Sequence, residues 1–185
     1  FPSGFDKQLK LGIKQIEQYM GKKFGDPDNP LLFSVRSGAR QSMPGMMETV
    51  LNIGLNNQTV KGLIHKTKNP KFVYDSFRRL LMMYSDVVME KANHTGRNGN
   101  DGIRVCLDML LENIKHKYNY KNDSDLSEVQ LINLCNLFQE TIKKKFNVAF
   151  PNNVYDQLWG AITAVFKSWD GKRAIDYRNI ENIPH

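Results

Sequence analysis

One stretch, residues 31–56, limits what this chain can fold into more than any other. It begins with a short apolar run, Leu31–Val35, whose length and composition are typical of a buried strand. The chain then turns polar and small through Arg36–Gly45, before a second apolar segment at Thr49–Leu55. This order predicts two strands that flank a loop rich in arginine, serine and glycine.

The loop carries residue types that bind phosphate. Arg36 and Arg40 can each offer paired N–H donors to phosphate oxygens. Gly38 and Gly45 permit positive φ and a close approach of the backbone to a ligand, and the Ser42 hydroxyl adds a further donor. The loop therefore predicts a polyphosphate site. On composition alone, a plain β-hairpin with solvated arginines is the favoured alternative.

Helical periodicity accounts for most of the remaining chain. Apolar residues recur three and four positions apart, which is the spacing of one face of an α-helix. Segments with this pattern are predicted to be helical: Phe5–Met20, Gln58–His65, Lys71–Glu90, Ile103–Tyr118, Asp123–Phe146, Asn153–Trp169 and Lys172–Asn182. We expect the helices over 103–118 and 123–146 to form an αα-hairpin, because only a short polar turn separates them.

Capping residues predict where some of these helices begin and end. Ser3 is expected to cap the first helix, because a short hydroxyl side chain can accept from a free backbone N–H group. Gly21 is expected to end that helix in the left-handed conformation. Asp125 and Glu128 have the spacing of a capping box, so a helix is expected to begin there.

Together these patterns predict a mainly α fold with a small β element (α+β). The chain has 185 residues and 41% apolar content, which suffices for one hydrophobic core. We expect a single partial domain, in which residues 1–56 form a helix and the strand–loop–strand, and residues 57–185 form a helical region. Because the chain begins with Phe1 rather than Met, we expect it to be a fragment.

Charge and hydropathy argue against two classes of partner. The net charge of +7 is compatible with nucleic-acid binding. The lysines are scattered, however, and lie mostly near predicted helix ends, where they complement the helix dipole. No apolar run approaches the roughly 18 residues of a membrane span, and the N-terminus lacks the pattern of a signal peptide. We therefore predict no nucleic-acid partner and no membrane partner.

Other catalytic chemistries lack their motifs. There is no GxSxG nucleophile elbow and no P-loop of the form GxxxxGK(S/T). The 4 histidines are far apart, so we predict no metal site; His65 is expected at a helix end and His94 in a loop. Cys106 and Cys135 lack CxxC spacing and are expected to be reduced, buried thiols.

Arg78 and Arg79 have two interpretations. In the first, one arginine faces solvent and the other pairs with a nearby carboxylate, Asp75 or Asp86. In the second, one of them reaches the phosphate loop. We favour the first interpretation, because arginines within an amphipathic helix usually serve its packing and its solvated face.

Three segments resemble a known family. SVRSGARQSMPGMMETVLNIGLN, at residues 34–56, is similar to the signature of the N-terminal nucleotide-binding domain of pyruvate phosphate dikinases. The similarity continues through NPKFVYDSFRRLLMMYSDVVME (69–90) and QLWGAITAVFKSWDGKRAIDYRNIENIP (157–184). Residues 91–150 match only in helical character. The resemblance implies the central portion of an ATP-grasp-like domain with a helical subdomain.

The resemblance also implies roles for the loop residues. In that family the loop closes over ATP, and the first arginine of the motif contacts the phosphates. Carried to this sequence, Arg36 is the candidate catalytic residue, which stabilises charge on the moving phosphates, and Arg40 is a second phosphate contact. Gly38, Ser42 and Gly45 would shape the backbone around the ATP phosphates.

For the full-length enzyme, the resemblance implies conversion of ATP, phosphate and pyruvate to AMP, pyrophosphate and phosphoenolpyruvate. It implies Mg²⁺ and a phosphohistidine on a separate domain as further participants. The family's catalytic lysine, metal-binding acidic residues and phosphohistidine have no counterpart here, so we expect the chain alone to be inactive. We expect a homodimer for the full-length protein, in the cytoplasm or in an organelle.

Two alternatives remain at this point. One is the related dikinase of the phosphoenolpyruvate synthase type, which uses water in place of phosphate. The loop sequence GARQSMPGMMETVLN favours the phosphate-using enzyme. The other is a non-enzymatic basic helical binding module, against which the absence of a basic stripe argues.

Overall fold

The computed structural model describes residues 1–38, 40–92 and 102–183. These residues contain seven α-helices: α1 (Phe5–Met20), α2 (Thr59–Thr67), α3 (Pro70–Tyr84), α4 (Ile103–Tyr118), α5 (Glu128–Phe146), α6 (Val154–Ser168) and α7 (Lys172–Ile180). Four short strands accompany them: β1 (Lys23–Phe24), β2 (Pro30–Leu31), β3 (Phe33–Arg36) and β4 (Thr49–Ile53). The predicted fold class, mainly α with a small β element, is confirmed.

The strands form two small sheets. β1 pairs with β2 in parallel, and β3 pairs with β4 in antiparallel register, with Arg36 opposite Thr49. The predicted strand–loop–strand is therefore a β-hairpin. The register shifts between Phe33 and Val35, and Asn52 of β4 has a φ of 59°, which marks a bulge. The bulge leaves the loop end of the hairpin paired.

The helix boundaries follow local capping chemistry. α1 has the predicted bounds and ends at Gly21, whose φ is 59°. The predicted Ser3 cap is wrong, because Gly4 occupies the N-cap position and no side chain caps this helix. The predicted start at Asp125 and Glu128 is also wrong. The capping box of α5 is formed by Ser127 and Gln130, whose side chains each accept from the other's backbone N–H.

The hydrophobic core lies where α3 packs against α5 and β4. Its fully buried side chains include Val50, Ile53, Leu80, Leu81, Leu107, Leu134, Phe138 and Ile142. α4 contacts α5, the next α-helix along the chain, as the αα-hairpin interpretation predicts. Burial of these side chains is the main favourable term for the fold, at about 1.5–3 kcal/mol per large apolar residue.

The helix predicted over 71–90 is not α-helical throughout. α3 ends at Tyr84, and Ser85–Lys91 continues as a π-helix. This segment packs against α6. A Cβ added at Gly160 of α6 would collide with the Tyr84 hydroxyl at the end of α3 and with the Val88 side chain of the π-helical segment. The absence of a side chain at Gly160 therefore permits the close packing of these helices.

The π-helical segment also supports the beginning of α4. Glu90 is buried, and its carboxylate accepts from the Ile103 N–H at 2.9 Å and 3.1 Å. Gly102, the N-cap residue of α4, has no side chain for this task. Except for Ala92 and Gly102, the loop predicted at 92–102, with His94, lies outside the described residues.

Candidate functional site

The hairpin presents both predicted arginines to solvent. Arg36 is the last residue of β3, and Arg40 lies in the irregular segment that follows. Both side chains are exposed. Within residues 1–38, 40–92 and 102–183, neither guanidinium group has a hydrogen-bond or ion-pair partner. Two positive groups are therefore available to an anion on one loop.

The other predicted loop residues are placed in different ways. Gly45 has a φ of 73°, a conformation that its lack of a Cβ permits. Gly38 does not use this freedom, since its φ is not positive, and it has open space beside it. The Ser42 carbonyl accepts from the Tyr177 hydroxyl at 3.4 Å, and the Gly45 carbonyl from Arg173 Nη1 at 3.5 Å. These carbonyls face α7.

The end of the loop is attached to the helices through Glu48. Its Oε1 accepts from Arg173 Nη2 at 3.1 Å and from Lys91 Nζ at 3.4 Å. Its backbone N–H donates to the Ser168 hydroxyl at 3.1 Å. We call Glu48, Lys91, Ser168 and Arg173 the loop anchor. Sequence reasoning missed these residues, because Glu48 and Arg173 are 125 positions apart and no local pattern relates them.

Lys91 belongs to the anchor as a charged group. Burial is the largest single effect on the pKa of this ammonium, and by itself it would lower that pKa. The hydrogen bond and charge of Asp86, together with Glu48, outweigh burial and raise the Lys91 pKa above its ordinary value. Lys91 therefore stays protonated at neutral pH, and its bond to Asp86 at 2.9 Å holds it beside Glu48.

A hollow of about 840 Å³ lies next to the loop anchor. The anchor residues line it together with Met46, Asp86, Arg104 and Lys167, among others. Its walls carry both acidic and basic groups, and Lys167 Nζ already donates to the Ala92 carbonyl at 2.7 Å. Arg36 and Arg40 do not line this hollow. The predicted phosphate contacts and the hollow are thus separate features of the surface.

Arg78 and Arg79 serve the structure of the helical region. Arg78 is buried, and its Nη2 contacts Asp75 Oδ1 at 2.7 Å and Asp123 Oδ2 at 3.1 Å. Arg79 is exposed and pairs with Asp75 at 2.8 Å. The structural interpretation is confirmed, with Asp75 rather than Asp86 as the partner. Asp86 instead pairs with Lys91.

The remaining predicted groups do not form a reactive centre among the described residues. Cys106 and Cys135 are free thiols, as predicted, although Cys106 is only half-buried. Burial raises the pKa of the Cys135 thiol to about 12, so it stays protonated. No group of three or more His, Cys, Asp or Glu residues in the described ranges is arranged to hold a metal ion. No helix within those ranges is long and apolar enough to cross a membrane.

Comparisons with known proteins agree with the resemblance of the loop. The family described as "Pyruvate phosphate dikinase, AMP/ATP-binding domain" matches residues 2–185. The chain is 43% identical to the pyruvate, phosphate dikinase of Rhizobium meliloti over 183 residues, which is 99% of this chain and 19% of that protein.

Two further relatives show the same coverage. The pyruvate, phosphate dikinase of Clostridium symbiosum is 45% identical over 96% of this chain and 19% of its own length. The chloroplastic pyruvate, phosphate dikinase 1 of Zea mays is 42% identical over 98% of this chain and 18% of its own length. The chain thus spans about a fifth of the relatives it matches. The family match over residues 2–185 and these identities show that the chain belongs to the pyruvate phosphate dikinase AMP/ATP-binding domain family.

Proposed function

We propose that this chain is the ATP-binding part of a pyruvate phosphate dikinase and that Arg36 and Arg40 bind the triphosphate. The observation that carries the proposal is the pair of exposed guanidinium groups on one loop, neither with a partner among the described residues. Guanidinium groups bind phosphate oxygens through paired hydrogen bonds. Unpaired cations on a fixed hairpin are suited to that role.

The hairpin gives the two arginines different roles in this proposal. Arg36 lies in a paired position opposite Thr49, so its backbone is fixed by the ladder. It is the candidate catalytic residue, because phosphoryl transfer depends on positioned positive charge that meets the charge of the transition state. Arg40 lies in the irregular part of the loop and would add a second phosphate contact.

The small loop residues would shape the path of the backbone around the phosphates. Gly38 is exposed with open space beside it, so a ligand can approach its backbone closely. The Ser42 hydroxyl is a further donor for a phosphate oxygen. The Gly45 carbonyl is turned toward Arg173, so in this proposal Gly45 acts through its positive φ rather than through a bond to ATP.

For the complete protein we propose the reaction that the resemblance implies, from ATP, phosphate and pyruvate to AMP, pyrophosphate and phosphoenolpyruvate. The donor set for Mg²⁺ does not fit the described part of the chain, which offers no cluster of three or more candidate ligands. We therefore assign no step to Mg²⁺. The phosphohistidine domain, the homodimer, and a cytoplasmic or organellar location stay predictions for the complete protein.

The test compares Arg36→Ala and Arg36→Lys in the complete dikinase. Arg36→Ala is expected to lower kcat/KM for ATP by about 100-fold or more, which is the usual loss when one preorganised charge contact is removed. Arg36→Lys should recover only part of the loss, because an ammonium lacks the paired donors. AMP formation that requires inorganic phosphate would distinguish this enzyme from the water-using type.

The matched control is Arg79→Ala, which removes an exposed arginine that pairs with Asp75 on its own helix. This variant should retain the kinetics of the unmodified enzyme. Turnover and ATP affinity of Arg36→Ala equal to those of the control would remove Arg36 from the site and overturn the proposal.

A further inference from the structure

The loop anchor attaches the β4 side of the phosphate loop to the helices. Glu48 directly precedes β4, and its partners come from three different parts of the helical body. Lys91 ends the π-helical segment, Ser168 is the last residue of α6, and Arg173 lies in the first turn of α7. Arg36 and Arg40 take no part in these bonds. The anchor thus holds the loop without occupying its phosphate-binding side chains.

Two backbone bonds continue the attachment toward the arginines. Arg173 also donates to the Gly45 carbonyl at 3.5 Å, and Tyr177, one turn further along α7, donates to the Ser42 carbonyl at 3.4 Å. α7 therefore contacts the loop at three successive points, residues 42, 45 and 48. Since Arg40 is only two residues before Ser42, these bonds restrict where its side chain can reach.

We propose that Glu48 and Arg173 are positioning residues that hold the loop in its phosphate-binding shape. This inference rests on the proposed function of Arg36 and Arg40 and adds a second set of residues to it. A loop that is already ordered loses little conformational entropy when ATP binds, so the affinity for ATP is higher. Removal of the anchor should weaken ATP binding although neither residue would touch ATP.

The charges of the anchor determine which substitution is informative. Lys91 is closer to Asp86, at 2.9 Å, than to Glu48, at 3.4 Å, so it keeps a partner if Glu48 is neutralised. Arg173 has a side chain that is 64% exposed, so its removal leaves no cavity. Glu48→Gln and Arg173→Met are therefore expected to leave the fold intact and to make the loop less ordered.

The experiment measures the ATP dissociation constant of the complete dikinase by calorimetry. Glu48→Gln and Arg173→Met should each raise the Kd about 5- to 20-fold. The Kd of the double variant should be no higher than that of the single variant that binds ATP more weakly. Arg173→Lys, which retains the cation, should stay within about 3-fold of the unmodified enzyme. Lys172→Met is the matched control, because Lys172 pairs only with Asp176 on its own helix among the described residues, and its affinity should not change.

A spectroscopic readout separates loop order from general stability. A nitroxide attached at Gln41→Cys, in a Cys106→Ser background, should become more mobile in Glu48→Gln and Arg173→Met and should regain order at saturating ATP. Unchanged ATP affinity and unchanged nitroxide mobility in both variants would overturn the inference. Additive effects in the double variant would overturn it as well, because residues of one anchor must act together.

Arg36→Ala, measured in parallel, distinguishes the two levels of the proposal. If Arg36→Ala loses ATP affinity while Glu48→Gln and Arg173→Met do not, only the positioning inference fails. If Arg36→Ala binds ATP as the unmodified enzyme does, the proposed function fails, and the positioning inference fails with it.

Discussion

Two glycines inside helices set how closely those helices approach their neighbours. A Cβ at Gly62 would collide with the Pro27 carbonyl, and a Cβ at Gly160 with the Tyr84 hydroxyl. The sequence offers a signal for the packing role of Gly160, because a glycine within a strongly apolar helix costs stability unless close packing requires it. It gave no such signal for Gly62, whose neighbour belongs to a loop. A glycine is visible in a sequence, but the group it approaches is not.

We expect Gly160→Ala to lower the free energy of unfolding of this chain by about 1–3 kcal/mol, because the Tyr84 side chain must move to make room. The Tyr84 hydroxyl would also lose its bond to the Asp156 carbonyl, at 3.4 Å. Urea unfolding measures the effect. The control is Gly12→Ala in α1, where nothing lies within 4 Å of the added Cβ. This change should stabilise the chain by about 0.5–1 kcal/mol, and equal effects of the two substitutions would contradict the packing argument.

The elements differ in how far their sequence determines them. α1 and α4 have the predicted bounds, because each combines a clear apolar face with an ending residue of left-handed φ, Gly21 or Asn119. The π-helical segment at Ser85–Lys91 was not predicted, because apolar spacing does not reveal which carbonyl a backbone N–H selects. The loop anchor was missed for a related reason, since it joins residues that only the tertiary fold brings together.

The beginning of α4 offers a test of the π-helical segment. Glu90→Ala should lower the free energy of unfolding by about 1–3 kcal/mol, because the Ile103 N–H would be left buried without its acceptor. Glu90→Gln keeps an acceptor oxygen and should cost less. Chemical denaturation of both variants tests whether Glu90→Ala lowers the free energy of unfolding more than Glu90→Gln does. Glu140→Ala, an exposed glutamate of α5, is the control and should change the unfolding free energy by less than about 0.5 kcal/mol.

The whole chain spans 18–19% of each of the three relatives compared above. Its family was recognisable from the amino-acid sequence of the loop together with residues 69–90 and 157–184. The loop's chemistry could also be inferred, since two arginines in a loop rich in glycine and serine suggest an anion site. The sequence could not show that one end of that loop is held by α6 and α7 while the arginines are left exposed.

We expect this chain alone to bind ATP but to form no AMP and pyrophosphate from ATP, phosphate and pyruvate. Its described residues offer two exposed arginines for the triphosphate but no cluster of three or more candidate metal ligands. A coupled assay for AMP and pyrophosphate, with the complete dikinase as positive control, measures this. Product formation at a rate near that of the complete enzyme would contradict the expectation.

Arg173 and Tyr177 both project from α7, a helix of 9 residues, and both contact the phosphate loop. A rotation of α7 about its own axis would separate at least one of these side chains from its carbonyl or carboxylate partner. The orientation of this short helix and the conformation of the loop that carries the arginines are therefore coupled. If the loop binds ATP as proposed, a contact that turns α7 would change phosphate binding without touching the nucleotide.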